Sequence, residues 1–131
     1  MRKSFAIACL AFLAASGAQA KPIPMEAIWC NTKVQMESFF QHRVVDGKST
    51  PDSLKIINDE EKEVVCGLLN AVIEEGTAVA TLKSKDGKSY AIMSVTILAI
   101  ISDGVVMRTE PTPQFGLKPL VQPSSIKETD A

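Results

Sequence analysis

Cys30 and Cys66 have the clearest chemistry in this sequence. Thirty-five residues lie between them, with none of the C-x-x-C spacing that tunes a redox-active thiol and no Cys/His grouping of the kind that binds zinc. A structural disulfide is the reading that remains, and an even cysteine count in an exported chain favours it. Closing a loop of this length stabilises the fold by about 4 kcal/mol in the loop-entropy model. The third cysteine, Cys9, sits inside an apolar N-terminal run and is removed with it if that run is cleaved.

His42 is the single histidine, so any Ser-His or Cys-His catalytic pair has to use it. Its neighbours Gln41 and Arg43, near the end of a helical pattern, place it on a solvated face. Glu60, Glu61, Glu63, Glu74 and Glu75 supply carboxylates, but acid–base work by paired carboxylates needs one of them desolvated in a cleft, and these cluster in loops and turns. The chain has no G-x-S-x-G, P-loop, dinucleotide fingerprint or H-E-x-x-H motif. Neither a metal site nor a cofactor is expected.

The most distinctive polar run is Lys83-Ser84-Lys85-Asp86-Gly87-Lys88-Ser89-Tyr90. Asp-Gly is a strong hairpin signal, and strand alternation puts Lys83 and Lys85 on one face with Lys88 and Tyr90 brought near by the turn. Lys83, Lys85, Lys88 and Tyr90 are therefore the candidate binding residues, offering cations and a ring to an acidic or carbohydrate partner. Lysines at a hairpin tip also serve solubility and guard against edge pairing.

These residues are positioned by a chain that opens with an export signal. Met1-Arg2-Lys3 is cationic, and Phe5 to Ala15 is apolar and uncharged, too short to span a hydrocarbon core of about 30 Å. Ala18-Gln19-Ala20 follows as a peptidase site. Residues 1–20 thus read as a cleaved signal peptide, leaving a chain that starts at Lys21 with no stable membrane anchor. Arg2 and Lys3 leave with that segment, so twelve cations face fifteen acids, a net charge of −3. A mildly acidic domain lacks the clustered cations that nucleic-acid binding requires.

Within the expected domain, residues 21–121, Lys21 to Trp29 reads as an extended lead-in. Thr32-Lys33-Val34-Gln35 fits a capping box that starts a helix running to about Arg43, with Met36, Phe39, Phe40 and Val44 as its apolar stripe. Thr50 and Pro51 suggest a second, short helix. From Val64 onward β-branched runs predict strands at about 65–73, 77–83, 89–101 and 105–109, joined at Glu75-Gly76, Asp86-Gly87 and Asp103-Gly104. Pro111, Pro113, Pro119 and Pro123 exclude a helix or central strand beyond them, and residues 122–131 read as a disordered tail.

The expected fold is α+β, one helix packed on a four- to five-stranded antiparallel β-meander with one disulfide; a small β-barrel is the alternative. The expected function is that of an exported, periplasmic or secreted, non-catalytic domain that binds a macromolecular partner in the cell envelope, a protein or an envelope polymer, for example as an inhibitor or accessory protein. The alternative is a small periplasmic hydrolase that uses acidic residues.

Overall fold

The capped segments between Thr32 and Glu61 form helices and the β-branched runs after them form long strands in a computed structural model that describes residues 21–120. The expected signal peptide, 1–20, and the expected tail, 122–131, lie outside the described residues. The elements are β1 (Ile23–Cys30), α1 (Lys33–Phe40), α2 (Thr50–Glu61), β2 (Cys66–Lys83), β3 (Ser89–Ser102) and β4 (Val105–Pro119). All strand pairs are antiparallel in the order β1-β2-β3-β4. The two outer strands meet at one pair, Cys30 with Phe115. The chain is an α+β domain in which two helices pack on four strands.

The capping box expected at Thr32 is present. Thr32 Oγ1 accepts from the Gln35 amide at 3.1 Å, and Gln35 Oε1 accepts from the Thr32 amide at 3.0 Å. α1 ends in a π-helical turn over Gln41–Val45. The second helix is a full twelve residues capped by Ser49, whose hydroxyl accepts from the Asp52 amide at 3.1 Å, so Thr50 is its first residue and not its cap. It stops at Lys62, which takes a left-handed φ of 63°.

Three expectations about the strands are corrected. The lead-in is a paired strand, β1, in register with β2 from Ile23–Ile73 to Cys30–Cys66. Glu75-Gly76 is no hairpin: β2 runs through it with a register shift between Glu75 and Ala78. The glycine serves close approach, since a Cβ at Gly76 would fall 2.5 Å from Ser94 Oγ and 2.8 Å from Ser94 O. Thr77 N donates to the same Ser94 hydroxyl at 3.1 Å, which stitches the bulge to β3. The last strand does not stop at Thr109 but continues through Pro111 and Pro113 to Pro119. β4 has β3 as its neighbour, and the register jumps from Ile97–Thr112 to Ala99–Arg108, so Pro111 falls in a bulge on an edge strand, where a missing N–H is tolerated.

The core lies on both faces of the curled sheet. Cys30, Met36, Phe39, Ile57, Val65, Cys66 and Ile92 are buried where the helices cover one face, with Phe115 and Leu117 packed against them. Trp29, Ala71, Ile73, Val95 and Ile97 form a second cluster. Of the alternating face expected in β3, Ala91, Val95, Ile97 and Ala99 are buried.

The disulfide joins Cys30 to Cys66, with Cα atoms 4.1 Å apart. It ties the end of β1 to the start of β2 across a directly opposed pair, rather than tying the helix to the sheet. Asn58 reinforces the same corner. Its Oδ1 accepts from the amides of Val65 at 2.8 Å and Cys66 at 3.0 Å, and its Nδ2 donates to Cys66 O at 3.0 Å.

Candidate functional site

The hairpin between β2 and β3 is built by its own short side chains. Ser84 N donates to Lys88 O at 2.9 Å, Gly87 N donates to Ser84 O at 3.0 Å, and Gly87 takes the positive φ of 88° that the turn demands. Ser84 Oγ donates to Asp86 and accepts from the Lys88 amide at 3.2 Å. The hydrogen bond from Ser84, and after it the Lys88 amide, holds the Asp86 carboxyl below its ordinary value. An ionised Asp86 is thus part of how the tip is shaped.

Lys85, Lys88 and Tyr90 line one side of a groove of about 550 Å³ whose other side is the π-helical turn, through Arg43, Val44, Val45 and Gly47. Lys83 is apart from them: it pairs with Ser89 in the ladder and does not line the groove. Three of the four expected binding residues are brought together. The third cationic position is supplied by Arg43, which sequence reasoning missed because helical spacing alone does not tell which loop a residue near a helix end will face.

The π turn explains why Arg43 faces the hairpin. One extra residue in the turn lets Asp46 N donate to Gln41 O at 2.8 Å, and Lys48 N then donates to His42 O at 3.0 Å, so the chain leaves α1 in a tight return with Gly47 at φ 76°. Arg43 Nε donates to Thr50 Oγ1 at 3.0 Å and Nη1 to Lys48 O at 3.3 Å, which fixes the guanidinium against the start of α2. Tyr90 is held from behind by Phe40, edge to face with ring centroids 5.3 Å apart. The groove therefore has a positioned ring, a positioned guanidinium and two exposed ammonium groups, opposed by one carboxylate, Asp86, that lies 3.9 Å from Lys88.

His42 does not belong to this groove. It is half-buried rather than solvated, and Nδ1 has no hydrogen-bond partner, with Asp46 Oδ2 at 3.8 Å. The expected carboxylates do not converge either. Glu60, Glu61, Glu63 and Glu74 are exposed, and Glu75 is paired with Lys118 at 3.6 Å. Among the described residues no group of three or more His, Cys, Asp or Glu side chains is placed to hold a metal, and no helix is long and apolar enough to cross a membrane. Comparison with protein-family models, with curated proteins and with solved structures finds no match.

A cationic, open surface with a supported aromatic ring suits carboxylate, sulfate or phosphate groups displayed by a partner, with the guanidinium giving directional hydrogen bonds and the lysines giving charge.

Proposed function

We propose that the protein is an exported, periplasmic or secreted, non-catalytic module that binds an acidic macromolecular partner of the cell envelope in the groove between the π turn and the β2–β3 hairpin. The observation that carries this reading is the convergence of Arg43, Lys85, Lys88 and Tyr90 from two separate elements in a molecule that is acidic as a whole. Self-repulsion disfavours such a concentration of cations unless a ligand or a structural need offsets it. Export is supported by the order of charged, apolar and small residues over 1–20 and by the disulfide, which suits an oxidising compartment.

The reading is tested by using the chain that starts at Lys21 as bait in a native envelope extract, beside a variant carrying Arg43→Glu, Lys85→Glu and Lys88→Glu. All three side chains are exposed, so the two lysine changes are expected to alter folding by about 0.5 kcal/mol or less each, and Arg43→Glu, which gives up two exposed hydrogen bonds, by about 1 kcal/mol; a melting curve of the variant checks that it is folded. The partner is expected to be retained by the wild type, to elute with salt and to be lost from the variant. A partner retained equally by both removes the groove as the binding surface.

A further inference from the structure

The ring of four strands closes through a single ladder pair. β1 is paired with β2 along all eight residues, and β4 with β3, but β1 and β4 meet only at Cys30–Phe115. Beyond that pair no ladder pairing joins Ile23–Trp29 to Gly116–Pro119, and no other strand among the described residues pairs with those facing edges. A cleft of about 280 Å³ occupies the gap, with Met25, Ala27, Trp29, Met93 and Val95 as its apolar lining.

Trp29 sets the depth of this cleft. It is 4% exposed, and its Nε1 donates to Leu69 O at 3.0 Å, so its only polar atom is already satisfied. The ring lies on the backbone of β4, where a Cβ at Gly116 would fall 2.7 Å from Cζ3. The indole thus fills the point where the strands separate and presents its remaining surface to the gap. The volume is smaller than the roughly 300–1,000 Å³ of pockets that enclose a whole small molecule, but it suits an anchoring side chain. The rim is charged: Glu75 is paired with Lys118 at 3.6 Å, while Glu26 has no ion pair among the described residues. One negative charge is left over beside an apolar cleft flanked by two backbone edges.

We infer that this cleft takes an extended segment of a partner protein as an added strand. Its amides and carbonyls pair with the open edge of β1 or β4, one bulky apolar side chain seats on Trp29, and an adjacent Lys or Arg reaches Glu26. Backbone edges are the feature that selects a peptide, because only another backbone satisfies a row of alternating donors and acceptors. The surface is separate from the cationic groove and does not depend on what that groove binds.

Trp29 is the only tryptophan in the chain, so its fluorescence reports on the cleft directly. The probe is a blocked hexapeptide of sequence KVTFTK, titrated beside the same peptide N-methylated at alternate residues and beside decanoate. The unmodified peptide is expected to shift Trp29 emission saturably, the N-methylated peptide to bind at least about tenfold more weakly for want of its donors, and Glu26→Lys to weaken the unmodified peptide about two- to fivefold, as a rim ion pair does. Equal binding of the N-methylated peptide overturns strand addition. Saturable binding of decanoate with no response to the peptide makes the cleft a site for an acyl chain instead, and no Trp29 response to the peptide up to its solubility limit also overturns the inference.

Discussion

Asn58 lies near the end of α2, yet its side chain works for β2, giving and taking three hydrogen bonds at Val65 and Cys66. Replacing it with Ala leaves the amides of Val65 and Cys66 and the carbonyl of Cys66 without those partners at a part-buried corner. Each orphaned group costs about 1–3 kcal/mol when water cannot reach it, and water reaches this corner in part, so Asn58→Ala is expected to lower the unfolding free energy by about 2–4 kcal/mol in urea titration. Asn58→Asp keeps the acceptor and loses the donor, and should cost less. Gly116 makes a different kind of demand. Gly116→Ala forces the Trp29 ring off the β4 backbone, an overpacking expected to cost about 1–3 kcal/mol and to red-shift Trp29 emission as the ring becomes wetter. Neither residue was legible in the sequence. An asparagine late in a helix and a glycine between Phe115 and Leu117 carry no local pattern, because what they satisfy comes from a strand or a ring far along the chain.

At the scale of elements, local signals were read well and long-range ones were not. The capping box at Thr32 and the Asp86-Gly87 turn depend on neighbouring residues alone, and both are found where the sequence placed them. Asp103-Gly104 likewise turns β3 into β4, with φ of 51° and 77° at its two residues. Glu75-Gly76 has the same appearance, but there the glycine answers a close approach by Ser94 from another strand, so a bulge replaced the turn. The edge position of β4, which tolerates its prolines, is equally a property of the assembled sheet. The disulfide belongs to this scale because it welds β1 to β2 at the corner that Asn58 also holds. Replacing both Cys30 and Cys66 with Ala is expected to lower stability by about 2–4 kcal/mol, and reductant should reproduce most of that loss in the wild type. A melting temperature that does not move while both thiols become titratable would contradict this account of the corner.

For the whole molecule, the candidate site was half legible. Lys85, Lys88 and Tyr90 announced themselves by composition around a turn, whereas Lys83 turned out to stand apart and Arg43 entered only through the geometry of the π turn. The net acidity of the chain makes that groove an electrostatic exception, so binding there should be strongly salt-dependent and the rest of the surface should repel the same ligand. The most direct measurement is an amide chemical-shift titration of the chain starting at Lys21 with a defined polyanion, poly-L-glutamate, at low and at physiological salt. Shifts confined to residues 43–47 and 84–90, saturable and weakened by salt, are the predicted result. Saturable shifts centred elsewhere on the molecule, or none at low salt, would contradict the assignment of this groove as the binding surface.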